Sequence, residues 1–339
     1  MNAIFLQLWV GRWSVLWEVL WGIVRGILWR ARWRAAVILL VSPGLHAAPA
    51  GWAPLLEPAV LADMLDRPAS IRILQVSGDY AAGHIEGAIE APYAQFRGPI
   101  DNPGQVPAMR QLTELVQDLG ISAEMPVVVV HQGSSAADMG AATRVYWTLK
   151  SLGVRDLAVL NGGLEAWAGQ GFALSSRPVT VAPSNFEPQW NDQWRVTTAE
   201  LEQLVANNAV TLVDARQPSF FRGEEASSGL PGTIRGASNL SFQDWFEGTR
   251  AEQPQTVKNR LQQITAQASP VTVSFCNTGH LASINWFMMS EVQGLPNVRL
   301  YPESITEWSM KDRPMDNQPS RLQHYWRMTV DWLHGLAGA

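Results

Sequence analysis

The one cysteine of this 339-residue chain, Cys276, stands in the run Cys276-Asn277-Thr278-Gly279-His280-Leu281-Ala282, between an apolar β-branched stretch and a helical pattern. A loop that short, placed where a strand ends and a helix begins, sits at the carboxyl ends of the strands, where open α/β sheets bind their ligands. Gly279 can take the positive φ that curls the backbone around a single point. Curled so, successive N–H groups form a nest aimed at the sulfur, and the N-terminus of the following helix adds its partial positive charge. Both favour thiolate over thiol, and both would stabilise the terminal sulfur of a Cys–S–S⁻ persulfide. The chemistry that follows is nucleophilic: a thiolate able to attack a soft electrophile, hold the group covalently and yield it to a second nucleophile. The competing reading is an inert buried thiol, as free cysteines often are.

Cysteine phosphatases use a similar cradle, but theirs runs Cys-x5-Arg so that a guanidinium can clamp the phosphate through two N–H groups. The sixth residue after Cys276 is Ala282, and no arginine occurs from Cys276 to Val298, which excludes phosphatase chemistry. His280 is an acid–base group by type, yet sulfur transfer between thiolates needs little proton shuttling. Three places stay open for it: tuning the reaction, facing solvent, or hydrogen-bonding the loop backbone. A single cysteine allows no intramolecular disulfide and no multi-thiolate metal site. The six histidines show no paired spacing such as His-Glu-x-x-His, so no metal and no other cofactor is expected.

The elements that must position this loop occur twice in the chain. In the first half, Ile71 to Val76 is a short apolar run, followed by Tyr80 and Gly83-His84-Ile85-Glu86-Gly87-Ala88. In the second, Thr211-Leu212-Val213-Asp214 leads to Gly232-Thr233-Ile234-Arg235-Gly236-Ala237. A proline then opens a buried-strand pattern in each half, Pro126 before Val127 to Val130 and Pro270 before Val271 to Phe275. Such short β-branched runs bounded by turn residues suit parallel strands covered on both faces. Helical patterns holding Trp147 and Trp286 follow, and Leu160-Asn161-Gly162-Gly163-Leu164-Glu165-Ala166-Trp167 overlays Tyr301-Pro302-Glu303-Ser304-Ile305-Thr306-Glu307-Trp308 without a gap. Strands alternating with helices at these lengths predict an α/β fold in two domains.

In this order, the GHIEGA stretch, the LNGGLEAW stretch and the cysteine loop resemble the rhodanese family, and the whole is similar to tandem-domain sulfurtransferases of the thiosulfate and 3-mercaptopyruvate type. The resemblance runs from about Leu56 to Asn317. It implies two rhodanese-like domains, each a mostly parallel sheet flanked by helices. The first, 51–180, would be inactive, because the aligned position holds Gln132 in place of the cysteine; its job would be to wall and cover the cleft. The second, 195–317, would carry the persulfide on Cys276, with Asn277, Thr278, Gly279, His280 and Leu281 as the loop that binds it. The Pro-, Asn- and Gln-rich stretch from Arg177 to Trp194 contains the linker, 181–194, and 318–339 reads as an amphipathic tail packed on the body.

Departures from the family pattern fall on substrate binding. Relatives that use anionic donors carry Asp-x-Arg and another arginine four residues on; here Asp214-Ala215-Arg216 is followed by Phe220, with Arg222 close by. Leu281 replaces the Thr or Arg many relatives place at the loop's end, and Thr233 stands where His84 stands in the first half. Asp214 and Arg216 suit a structural ion pair better than ligand contact. Arg216, Arg222 and Arg144 are thus the candidates for holding a small anion, and weak thiosulfate activity is expected. The partners implied are a small sulfur donor and a thiol or cyanide acceptor, with a protein acceptor as a further option. A non-turnover sulfur or selenium carrier, or a binding module, are the alternatives, since one scaffold hosts many functions.

With 47% hydrophobic and 16% charged residues the chain is globular, and a net charge of −5 argues against a general nucleic-acid binder. Residues 1–50 read as an export segment. Arg30, Arg32 and Arg34 precede the apolar run Ala35 to Val41, and Ala47, Ala48 and Ala50 follow. That is the grammar of a secretory signal, and the run is too short to span a bilayer. The tryptophans upstream, spaced by fours from Trp9 to Trp21, would share one face of an interfacial helix, unless translation starts downstream near Val24. Contact with a membrane is expected only through this segment, and the compartment implied is periplasmic or extracellular.

Overall fold

The computed structural model describes residues 48–319, except 68, 69, 228, 267 and 268. The export segment up to residue 47 and the tail from residue 320 onward therefore lie outside the described residues. Among the described residues no helix is long and apolar enough to cross a membrane.

The first half contains strands β1 (Leu55–Leu56), β2 (Arg72–Gln75), β3 (Ile89–Glu90), β4 (Val127–Val130) and β5 (Leu157–Leu160), with helices α1 (Pro58–Leu65), α2 (Met109–Asp118), α3 (Met139–Ser151) and α4 (Gly163–Gly169). Its sheet has the order β1-β5-β4-β2-β3, with every pair parallel. Parallel strands need helical crossovers on both faces, and the burial pattern follows. Val127 and Val129 of β4 face one apolar cluster with α3, whereas Val128 and Val130 face another with Leu61, Leu164 and Trp167.

The second half repeats the plan. Strands β6 (Thr211–Asp214), β7 (Thr233–Ile234), β8 (Ser238–Asn239), β9 (Phe246–Glu247), β10 (Arg250–Ala251), β11 (Thr272–Phe275), β12 (Val298–Leu300) and β13 (Met315–Asp316) alternate with α5 (Thr198–Ala206), α6 (Pro218–Phe221), α7 (Gln255–Thr265), α8 (His280–Phe287) and α9 (Ser304–Trp308). The main sheet, β12-β11-β6-β8, is parallel throughout, and β9–β10 and β7–β13 form small antiparallel pairs. Thr197 starts α5 by accepting a hydrogen bond from the Glu200 N–H, as a helix cap does.

The two halves share a core. Val127, Val129, Tyr146 and Trp147 of the first belong to the same buried cluster as Cys276, Ala282, Ile284, Trp286 and Phe287 of the second. The contact runs along α3 and α8, where the Thr143 and Ser283 hydroxyls meet at 2.8 Å and Tyr146 stands edge-on to Phe287. The segment read as a linker is tied along the first half. The Ser184 N–H donates to the Gln117 carbonyl, the Asn191 N–H to that of Ser151, and the Trp147 indole N–H to that of Trp194.

One correction to the repeat alignment follows from the hydrogen bonds. The carbonyls of Cys276 and Asn277 accept from the N–H groups of Ile305 and Thr306; in the first half His131 and Gln132 accept from Leu164 and Glu165. Val130 and Phe275 likewise pair with Gln75 and Asp214. The counterpart of Cys276 is thus His131, one residue before Gln132. The two prolines do not align, because Val127 and Thr272 are the matching strand starts.

The closeness of α3 to α8 generates a test. A Cβ on Gly140 would lie 2.7 Å from the His280 ring. Alanine should gain up to about 1 kcal/mol of helix propensity but lose about 1–3 kcal/mol to overpacking. Gly140→Ala is therefore expected to lower the urea midpoint, and an unchanged or raised midpoint would show that the ring has room to move.

Candidate active site

Cys276 follows β11 on the face opposite Phe275, in line with Thr272 and Ser274, because side chains alternate along a strand. It therefore points toward the shared cluster, with the residue 1% exposed. The loop behind it is fixed from outside. The Cys276 carbonyl accepts from the Ile305 N–H at 3.1 Å. That of Asn277 accepts from the Thr306 N–H at 3.0 Å and from its hydroxyl at 2.8 Å. That of Thr278 accepts from Arg97 Nη2 at 3.0 Å.

In a trans peptide the N–H points opposite to the C=O. Three carbonyls turned outward therefore turn the N–H groups of Asn277, Thr278 and Gly279 toward the inside of the curve, and these three donate to no main-chain acceptor in the described structure. Gly279 closes the curve at φ +71° as the N-cap of α8, whose first N–H groups lack partners within the helix. No described donor makes a hydrogen bond to the sulfur itself, so the cradle consists of donors left without an acceptor.

Sequence reasoning missed Ser304. It occupies the position that Gly163 holds in the first half, and both take a left-handed φ, +56° and +65°. Such a conformation is uncommon for a side-chain-bearing residue and tends to persist at functional sites. Its hydroxyl donates to the Tyr301 carbonyl at 2.8 Å and accepts from the Cys276 N–H at 3.1 Å, so it pins the backbone of the cysteine itself. The overlay of Ser304 on a glycine was the only signal. In the first half a Cβ on Gly163 would lie 2.3 Å from the His131 carbonyl.

His280 neither faces solvent nor bonds its own loop. Its Nε2 lies 3.0 Å from the Ala137 carbonyl and its Nδ1 3.0 Å from the Tyr93 hydroxyl, both in the first half. A carbonyl only accepts, so Nε2 carries the proton and Nδ1 accepts from Tyr93, whose oxygen in turn accepts from Arg97 Nη1 at 2.6 Å. Burial, then the positive charge of Arg97, pushes the His280 pKa down to about 4 and keeps the ring neutral. Burial likewise raises the Tyr93 phenol and keeps its proton in place. Tyr93, Arg97 and Ala137 carried no sequence signal, since they lie in irregular segments far along the chain from the loop.

The three candidate cations separate. Arg216 is buried and saturated. Its Nε and Nη2 grip the Asp214 carboxylate, Nη2 also reaches the Gly232 carbonyl, and Nη1 donates to Asn277 Oδ1 at 3.1 Å. Thr233 donates to the same carboxylate. Arg216 therefore shapes the loop: every guanidinium nitrogen is engaged, and its charge is matched by the Asp214 carboxylate. Arg222, exposed, is gripped by Glu224 through two hydrogen bonds and makes none to the loop. Arg144 is fully buried, with Nη2 on the Gly104 carbonyl at 2.7 Å and Nε and Nη1 unpartnered. Leu281, partly buried, packs against the shared cluster. Among the described residues no three His, Cys, Asp or Glu side chains gather as metal ligands would.

Comparison with known proteins fits this geometry. The description "Rhodanese-like domain" matches residues 57–170 and 197–311. The chain is 29% identical to the thiosulfate sulfurtransferase of Azotobacter vinelandii over 77% of its own length and 96% of that protein. It is 29% identical to the human 3-mercaptopyruvate sulfurtransferase over 70% of its length and 81% of that protein. The crystal structure of SseA from Escherichia coli, described as a 3-mercaptopyruvate sulfotransferase with the "Rhodanese" fold, superposes with a TM-score of 0.62 at 21% identity, covering 74% of this chain and 98% of that one.

Two expectations follow from the site's electrostatics. Arg216→Met strands the buried Asp214 carboxylate and should cost about 3–5 kcal/mol; adding Asp214→Asn should recover part of that loss in urea denaturation. A loss below about 1 kcal/mol would mean the pair is dispensable. The second concerns pH. His280 and the buried His131 both have pKa values pushed down to about 4 by burial, below an unfolded value of about 6.5. Between those values the unfolded chain binds more protons, so stability falls as pH drops from 6.5 toward 4. His131→Leu with His280→Gln should flatten that slope of the urea midpoint against pH, and an unaltered slope would assign it to carboxylates.

Proposed function

The chain belongs to the rhodanese family, with two rhodanese-like domains in tandem, and on that footing we propose that it is a sulfurtransferase working through a persulfide on Cys276. The observation that carries this reading is the set of outward-turned carbonyls at Cys276, Asn277 and Thr278, which turns the next three N–H groups to the inside of the loop, where none has an acceptor in the described structure. Donors fixed in place before the reaction stabilise a developing anion without reorganising. Here that anion is the outer sulfur of Cys–S–S⁻.

The reaction has two halves. The Cys276 thiolate attacks the outer sulfur of a donor such as thiosulfate; the new S–S bond forms as the old one breaks, and sulfite departs with the electron pair. With 3-mercaptopyruvate the carbon–sulfur bond breaks, and the carbon takes up a proton to leave as pyruvate. In the second half an acceptor thiolate or cyanide attacks the outer sulfur, and the Cys276 thiolate returns. His280, neutral and tied to the first half, acts here as a positioning residue for the start of α8 rather than as a proton carrier.

The alternative is a carrier that hands its sulfur only to a docked protein. Cys276 is 1% exposed, which small acceptors reach more readily than the side chain of a docked protein does. The compartment, periplasmic or extracellular, is proposed from the succession of basic, apolar and small residues at 30–50 alone.

Incubation of the full chain with thiosulfate, 3-mercaptopyruvate or polysulfide, followed by intact mass, is expected to show one added sulfur atom, lost on treatment with cyanide. Cys276→Ser should abolish the addition while leaving the urea midpoint within about 1 kcal/mol of the parent. Sulfur addition that survives the substitution would sink the proposal.

A further inference from the structure

An anionic donor entering beside a thiolate brings like charges together in a site largely closed to water, so a cation has to meet it. Of the arginines around the loop, Arg216 is committed to the Asp214 carboxylate, the Gly232 carbonyl and Asn277, with every guanidinium nitrogen engaged, and Arg97 is tied to Tyr93 and the Thr278 carbonyl. Arg144 differs. It comes from α3 of the half that lacks the cysteine, its side chain is 0% exposed, and it lies over the Trp147 ring at 4.9 Å. One nitrogen is anchored on the Gly104 carbonyl, and Nε and Nη1 have no partner. Nη1 lies 2.5 Å from where a Cβ on Gly279 would stand, so the guanidinium reaches the loop only because residue 279 has no side chain.

We infer that Arg144 is the specificity-determining residue of the site, receiving through its free Nη1–H the anionic end of the small sulfur donor. The inference rests on Cys276 being the nucleophile and adds the residue that recognises the donor, contributed by the half that lacks the cysteine. A buried guanidinium N–H without an acceptor costs about 1–3 kcal/mol, a cost that an incoming anion relieves. Burial has brought the Arg144 pKa down to about 10, with Arg97 lowering it further and the charges of Tyr93, Glu303 and Cys276 opposing; it remains a cation at neutral pH. Glu303, buried and paired with Arg195 at 2.6 Å, offsets part of that charge. The first half thereby contributes recognition to chemistry performed by the second.

Alkylation of the single cysteine tests this without turnover. Iodoacetate carries a carboxylate and iodoacetamide does not, and the two are otherwise alike in size. In the full chain, Arg144→Met is expected to lower the iodoacetate-to-iodoacetamide rate ratio at Cys276 by about tenfold or more, the loss of one charge-assisted hydrogen bond. Arg144→Lys should keep the ratio within about threefold of the parent, because the charge remains. A ratio unchanged in Arg144→Met overturns the inference. Equal change with both reagents also overturns it, since that marks Arg144 as a support for the fold. Inertness of Cys276 to both reagents in the native parent protein would remove the nucleophile itself, and this inference with it, an outcome separate from any change in ratio.

Discussion

A peptide plane cannot turn its carbonyl one way without turning its N–H the other, and the site depends on that constraint. Nothing needs to bind the sulfur directly for a cradle to exist; it suffices that something holds the oxygens. Ile305 and Thr306 at the start of α9 and Arg97 from the opposite half do so. Ser304 fixes the amide of Cys276 itself, at the expense of a left-handed φ that its counterpart Gly163 adopts freely. The cradle is thus made by its surroundings more than by its own seven residues.

This explains why a half without a cysteine remains integral. Its α3 brings Arg144 and Gly140 against the loop, its irregular segment after β3 brings Tyr93 and Arg97, and with the Ala137 carbonyl just before α3 these meet both ring nitrogens of His280 and the Thr278 carbonyl. At the place where the second half holds Cys276, the first holds His131, buried and neutral. One α/β plan, present twice, gives two halves with different contributions, one presenting the cysteine loop and the other much of its surroundings.

Much of the scaffold was legible in the sequence, because parallel strands covered on both faces write themselves as short β-branched runs; Val127 to Val130 is the clearest. The cysteine loop was legible for a related reason, since glycine after a buried strand marks a tight strand-to-helix turn. What could not be read were contacts between irregular segments far apart in the chain. Tyr93 and Arg97 reach His280 and Thr278 across more than half of it, and periodicity says nothing of such pairs. The alignment slipped by one residue because proline at positions 126 and 270 looked equivalent, whereas the ladder pairs Val127 with Arg72 and Thr272 with Thr211. Arg222 was read as an anion ligand although Glu224, two residues on, neutralises it. That partner was visible in the sequence.

The buried cluster that runs through both halves joins them more closely than the chain alone does. Tyr146 meets Trp286 and Phe287 across the halves, and separating them would expose aromatic surface on both pieces at about 25 cal/mol per Å². The chain behaves, in effect, as an obligate heterodimer whose subunits happen to be covalently joined. The half that lacks the cysteine is thus held to the other by more than the peptide bonds that join them.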